Sequence, residues 1–249
     1  MFRRKGLKMK INTDGLILKR GAVGESDRLV TVLTRDMGVI RAFVRGANKV
    51  KGKSASATDV LCYSTFSVTK SKDTYNIDEV TPVEVFFELR SDIEKLSLAQ
   101  YFCEAVMYLV MEGEESNEAL RLILNCLYML AKGLRPNDQI KAIFELRLMT
   151  ISGFMPELRC CSECGADVGG DAYFSFVDGT VSCVLHGKGM YLPAGVLAAL
   201  RHISECGFEK LFSFEMPSES LKVLTSVTER YLKTHCDREF TALNFYKSL

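Results

Sequence analysis

DRLVTVLTRDMGVIRAFVRG, residues 27 to 46, decides the first half of the fold. Two β-prone runs flank Asp36-Met37-Gly38, a turn signal, and along the second run side chains alternate between the two faces of a strand. Ile40, Ala42 and Val44 then point one way, and Arg41, Phe43 and Arg45 the other. Outward from this hairpin, INTDGLILKR (11–20) precedes it, and VLCYSTFSVTK (60–70) and DTYNIDEV (73–80) follow it. Five short strands between Ile11 and Val80, with no helix-length stretch among them, predict a small OB-like barrel rather than a sandwich.

A row of arginine, aromatic, arginine on an outer face suits single-stranded nucleic acid, with guanidinium groups on phosphates and a ring on which a base stacks. The plainer alternative is that Phe43 fills an apolar gap while the arginines are solvated. Charge favours the first reading. The chain has 32 Lys+Arg and 31 Asp+Glu, a net charge of +1, but residues 1–57 hold fourteen bases against four acids and the remainder eighteen against twenty-seven. Such polarity suggests a polyanion-binding module joined to a body that does not share that role. Its candidate nucleic-acid contacts are Lys19, Arg20, Arg28, Arg41, Phe43, Arg45, Lys49, Lys51 and Lys53.

The last three lysines lie in RGANKVKGKSASA (45–57), which has no apolar period and reads as a basic loop. Within it ANKVKGKS (47–54) satisfies a relaxed phosphate-loop pattern ending on Lys53 and Ser54. That motif needs a buried strand before it and a helix N-terminus after it, so that backbone N–H groups wrap the phosphates. Here the sequence runs on into another strand and offers no later strand ending in a metal-binding Asp. A phosphate-loop ATPase is therefore the minor alternative.

Beyond Pro82 the period becomes helical. Leu96, Ala99, Cys103, Val106, Met107 and Val110 form one stripe, and Leu120, Ile123, Leu124, Leu127 and Ala131 a second. A third helix is expected after Pro136, capped by Asn137 or Asp138 and ending near Gly153; its apolar face carries Arg147, for which an ion pair is expected. Two more helices are expected, one opening at Pro193 and one capped by Ser218. No apolar run approaches the roughly 20 residues of a membrane span, the N-terminus lacks a signal-like apolar segment, and a cytoplasmic address follows by default.

Between the third and fourth helices lies RCCSECGADVGGDAYFSFVDGTVSCVLHGKG (159–189), which holds four of the nine cysteines. Cys161 and Cys164 give Cys-x2-Cys followed by Gly165, and Cys183 and His186 give Cys-x2-His further on. This is zinc-ribbon spacing: a two-residue insert lets both side chains reach one ion, and glycine permits the tight turn that aims N–H groups at thiolates. Four ligands close a tetrahedron, so the expected zinc, one per chain, is structural. Cys160 is a bystander. A redox pair would need a thioredoxin-like setting and would leave Cys183 and His186 unexplained.

Three segments in this order, DGLILKRGAVGESDRLVTVLTRDMGVIRAFVRGANK (14–49), IFELRLMTISGFMPELRCCSECG (143–165) and FSFVDGTVSC (174–183) followed by His186, resemble the bacterial recombination mediator family RecO. The resemblance implies an α+β multidomain chain: an N-terminal OB-fold β-barrel, then an α-helical domain with an inserted zinc ribbon. The expected boundaries are 1–82 for the DNA-binding barrel, 83–158 and 191–249 for the two parts of the helical domain, and 159–190 for the zinc module. It also implies binding of single- and double-stranded DNA, strand annealing, and help in loading recombinase onto strands coated with single-strand-binding protein, together with the partner RecR. It implies no catalysis, and nucleoid association during repair. The family pattern starts at Met9, and has a cysteine where this chain has His186, a competent ligand. Some members lack the metal site. The acidic C-terminal tail of single-strand-binding protein would seek a basic-rimmed groove, for which Arg121, Lys132 and Arg135 are candidates by charge. A third reading, a zinc-bearing adaptor without DNA binding, accounts for the cysteines and not for the basic barrel.

Overall fold

The structure, a computed structural model, describes residues 10–47, 56–71 and 74–249. Lys49, Lys51, Lys53, Ser54 and the residues up to Met9 therefore lie outside the described residues. The chain divides into two compact units, Met1–Leu124 and Asn125–Leu249.

The first unit opens with β1 (Lys10–Val23), β2 (Asp27–Thr34), β3 (Val39–Val44), β4 (Cys62–Lys70) and β5 (Tyr75–Val85). The sheet order is β1-β2-β3-β5-β4, and β4 pairs back onto β1, so the sheet closes into a barrel. All pairs are antiparallel except β3 with β5. Closure requires strands to bend, and the register slips that bend them fall between Ile17 and Lys19 in β1, and beside Ser64 and Val68 in β4. The alternation expected of β3 is observed: Ile40, Ala42 and Val44 are buried with Ile17, Val30, Val32, Phe66, Val68, Tyr75 and Ile77, while Arg41 and Arg45 are exposed and Phe43 is half-buried. β5 continues through Pro82 to Val85.

After a 3-10 turn (Phe87–Ser91) comes α1 (Ile93–Leu109), capped by Asp92, whose carboxylate accepts from the Lys95 N–H at 3.1 Å. The stripe expected for α1 is only part of its buried surface. Leu98, Tyr101, Phe102 and Ala105 are buried too, the signature of a helix packed on more than one side rather than lying on a surface. α2 (Asn117–Lys132) spans the division between the units.

The second unit contains α3 (Asn137–Ile151), β6 (Glu157–Cys161), β7 (Ala172–Ser175), β8 (Thr180–Cys183), β9 (Met190–Leu192), α4 (Ala194–Glu205), α5 (Ser218–His235) and the short α6 (Thr241–Tyr246). The four strands form one sheet in the order β6-β8-β7-β9. Prolines rather than polar side chains sit at the N-caps of α3, α4 and α5, so Asn137 and Ser218 are first helical residues and not caps. The fixed proline φ pre-sets the chain for the first turn, which replaces the expected side-chain cap.

α3 packs against α4 and α5 and carries two charges on its buried face. Lys141 Nζ lies 2.8 Å from Glu145 Oε1 and 3.0 Å from Glu229 Oε2, and Thr228 Oγ1 donates to the other Glu145 oxygen at 2.7 Å. Lys233 and Lys247 complete the ring around Glu229. Burial pushes the Glu229 carboxyl up, but Lys141 and Lys247 outweigh it and hold it at about 2. A carboxyl depressed in the folded state stabilises above its unfolded pKa, and that contribution is lost as pH falls from about 4.5 toward about 2. At about 1.4 kcal/mol per pH unit, acidification should remove on the order of 3 kcal/mol. Urea unfolding at neutral and acid pH measures it; the acid-sensitive segment should be missing in Glu229→Gln.

Arg147 pairs with no carboxylate among the described residues, which corrects the expectation. Its guanidinium donates to the carbonyls of Ile203, Ser204 and Cys206 at 3.1, 2.6 and 2.8 Å, and stacks over the Phe208 ring. These are orphan carbonyls at the C-terminal end of α4, where a cation also meets the negative end of the helix dipole. No helix among the described residues is long and apolar enough to cross a membrane.

Candidate metal centre and nucleic-acid interface

The sheet of the second unit brings the cysteine pairs together. β6 runs parallel to β8 with Cys161 beside Val181, and β8 ends on Cys183. Gly165, at φ +72°, lets its N–H return to the Cys161 carbonyl at 2.9 Å, closing a tight turn that no side-chain-bearing residue adopts without strain. A second turn returns the N–H groups of His186 and Gly187 to the Cys183 carbonyl, each at 3.0 Å. Lys188 pairs with Glu163 at 3.0 Å and links the two turns.

As a result the sulfurs of Cys161, Cys164 and Cys183 and a ring nitrogen of His186 lie within 4.8 Å of one another, the four residues expected from spacing alone. His186 Nδ1 is 3.2 Å from Cys183 Sγ and 3.6 Å from Cys161 Sγ. Ligands held about 2.0 to 2.3 Å from one tetrahedral ion stand a little under 4 Å apart, so little movement is needed to close on it. The backbone also favours thiolate. The Cys183 N–H, 3.3 Å from Cys161 Sγ, leads the Cys164 and Glu163 N–H groups in bringing the Cys161 thiol down to about 6 against the opposing effect of burial. His186 lowers Cys183 and is itself raised by Cys183 and Cys161, while the neighbouring Cys161 sulfur helps to raise Cys164. The donor set therefore fits a soft divalent ion, and binding would displace the remaining protons. Cys160 is exposed, its strand bridging to Asp167, and it is not a member of the group.

The module is fastened to its surroundings without metal. Arg201 of α4 donates to the Leu158 carbonyl at 2.8 and 2.5 Å and to that of Val168 at 2.6 Å. Arg159 makes two bonds to the Glu205 carboxylate, and Arg230 lies over the Phe176 ring, 4.3 Å from its centroid.

On the barrel, cross-strand register decides which candidate cations share a face. Thr31 of β2 pairs with Lys19 on one side and Arg41 on the other, so the three form one outward row. With strands about 4.8 Å apart, Lys19 and Arg41 stand about 10 Å apart at the backbone. In the next outward row Leu29 pairs with Gly21 and Phe43, and Phe43 with Asn76 of β5. Lys19, Arg41 and Arg45 are exposed and bond to no described residue.

Arg28 and Arg20 differ from these. Arg28 is buried, and its Nη1 donates to the Thr58 carbonyl and hydroxyl at 3.2 and 3.0 Å and to Asp59 at 3.1 Å. Arg28 shares its register row with the buried Val44, so it faces inward, away from the outward row of Lys19 and Arg41. Arg20 is half-exposed but binds the same Asp59 oxygen at 2.7 Å. Asp59 also has Arg90 at 4.0 Å, so three guanidinium groups gather on one carboxylate. Neither Asp59 nor Arg90 was singled out by sequence; a lone acid closing a basic stretch was the available signal. Arg135, a candidate groove cation, has its Nε on the Phe212 carbonyl and its Nη1 on that of Leu134.

Comparison with known proteins gives a consistent result. Residues 9–86 match the family described as Recombination protein O N terminal, and residues 90–244 the one described as Recombination protein O C terminal. Among curated relatives, DNA repair protein RecO of Acetivibrio thermocellus is 34% identical over 243 residues, covering 96% of this chain and 97% of its own. Those of Alkaliphilus metalliredigens and Caldicellulosiruptor saccharolyticus are 28% and 26% identical over 97% and 95% of this chain, and over 100% and 98% of their own.

Proposed function

The chain belongs to the RecO family of DNA repair proteins, and from that premise we propose that its barrel is an OB-fold module that grips DNA phosphates while the second unit carries a structural zinc ribbon. The proposed segments are 1–82, 83–158, 159–190 and 191–249. The observation that carries the reading is the outward row of Lys19 and Arg41 beside Phe43, cations without a partner among the described residues next to an aromatic ring. Lys19, Arg41, Arg45 and the lysines at 49, 51 and 53 hold phosphates, and Phe43 offers a stacking surface; the same cations serve single and double strands. Arg20 contributes only the charge that Asp59 leaves over.

Annealing follows from this chemistry. A surface that holds a strand by its backbone and leaves most base edges free raises the local concentration of complementary strands and screens their repulsion. No reaction is catalysed. Cys161, Cys164, Cys183 and His186 would hold the zinc, which when bound supplies a rigid tetrahedral node and no open coordination position. Partnership with RecR, contact with the acidic tail of single-strand-binding protein and assistance in recombinase loading complete the proposal.

The test is a salt titration of single-stranded DNA binding. Each phosphate neutralised contributes about −0.7 to the log–log slope, so Lys19→Ala and Arg41→Ala should each flatten it by about that amount. Arg28→Ala should instead leave the slope intact and lower the thermal midpoint, since it removes the guanidinium that donates to the buried Thr58 carbonyl and hydroxyl and one of the three that surround Asp59, at a cost of about 2 kcal/mol. Binding that does not weaken between low and high salt would overturn the reading.

A further inference from the structure

β3 and β5 pair only at Ala42 with Tyr75 and Phe43 with Asn76. β3 then ends at Val44, whereas β5 continues along β4 alone, and the strands part to leave a cleft of about 410 Å³. This falls within the range of about 300 to 1,000 Å³ typical of small-ligand sites. Its floor is apolar, from Val44 and Ile77, and its walls carry Arg45, Thr69, Asn76 and Asp78. Phe43, half-buried, is in register with Asn76.

A bulge aims the carboxylate. Ser67 pairs with Glu79 and Val68 with Ile77, so Asp78 is the extra residue between them. Thr69 Oγ1 donates to Asp78 Oδ2 at 2.5 Å, which fixes the carboxylate and leaves its second oxygen for another donor. The Arg45 guanidinium and the Asn76 carboxamide bond to no described residue.

A site built for phosphate alone would not include a carboxylate, because it repels the ligand. A cation, an amide and an oriented carboxylate around an apolar floor instead match a whole nucleotide: phosphate on the cation, base toward the carboxylate. An oriented carboxylate accepts from the exocyclic amino group of cytosine or adenine and faces the O4 lone pairs of thymine unfavourably. Asn76 can donate to the adjacent ring nitrogen.

We propose that this cleft is a nucleobase pocket in which Asp78, Asn76 and Arg45 select an amino-bearing base over thymine. The proposal rests on the nucleic-acid reading above and adds to it a base preference where sequence-independent binding was expected. Cytosine and thymine oligonucleotides of equal length, titrated into the full chain at mildly alkaline pH and followed by fluorescence anisotropy, separate the two. The oligo(dC) strand should bind about five- to tenfold more tightly than oligo(dT). That ratio should fall to about one in Asp78→Ala and in the near-isosteric Asp78→Asn, with melting midpoints confirming that both variants fold. Equal, salt-steep binding of both strands by the native chain would overturn the pocket and leave the nucleic-acid reading standing, as would a preference that survives in Asp78→Ala. Failure to bind either strand at low salt would overturn the reading on which it rests.

Discussion

Cys183→Ser should reduce bound zinc from one ion per chain to a small fraction and expose the segment around residues 161–187 to protease. Cys183 touches two other members of the group: its sulfur meets His186 Nδ1 and its own N–H meets Cys161 Sγ. Replacing the thiolate by a hydroxyl removes a soft, anionic donor and leaves three ligands and a solvent-accessible position. Structural zinc contributes about 10 to 16 kcal/mol in isolated finger peptides. Here helices and arginines hold much of the module, so a loss of several kcal/mol is expected, and a drop in melting temperature of about 10 °C. Cys160→Ser should retain the ion, and His186→Cys should retain it as well. Metal analysis by mass spectrometry decides the matter, and one full zinc in purified Cys183→Ser would overturn the ligand assignment.

Lys141→Met should cost about 3 to 5 kcal/mol. Glu145 has no exposed surface, and the substitution removes the ammonium 2.8 Å from one of its oxygens while the Thr228 hydroxyl stays on the other. Such a carboxylate takes up a proton instead, so its folded pKa rises above the unfolded value. A raised carboxyl is better tolerated below the unfolded pKa, and stability is lost as pH rises through the folded one. The variant should therefore be closer to the native chain at pH 5 than at pH 8. The double variant Lys141→Met, Glu145→Leu should recover most of the loss, because matched apolar groups replace a buried pair at little cost. Denaturant melts at the two pH values test both points; a single variant as stable as the native chain would show that the pair contributes nothing.

The strands of the first unit and the Cys3His grouping were legible because each rests on local chemistry. Alternation in VIRAFV forces two faces whatever the remainder does, and Cys-x2-Cys with Gly165 can close on one point only by the turn observed. Where partners are distant in sequence the signal failed. Arg28 looks like any basic strand residue until Thr58 and Asp59, thirty positions on, arrive beside it. Arg147 was expected to find a carboxylate and found the end of a helix, because nothing in its own segment tells where α4 stops. The charges on the buried face of α3 went unnoticed for the same reason: nothing in its own segment singles out Lys141 and Glu145, and only α5 supplies Glu229 and Thr228.

Arg201 and Arg147 have a consequence for how this protein can diverge. One ties the start of the inserted module, at Leu158 and Val168, to α4; the other ties the end of α4 to α3, the helix from which the insert departs. Together they make a hinge-free frame whose strength owes nothing to thiols. Side chains and frame can thus be lost independently: a descendant shorn of Cys161, Cys164, Cys183 and His186 would keep the arginine-held frame, and on the proposed zinc assignment metal starvation would loosen the two turns rather than unfold the unit.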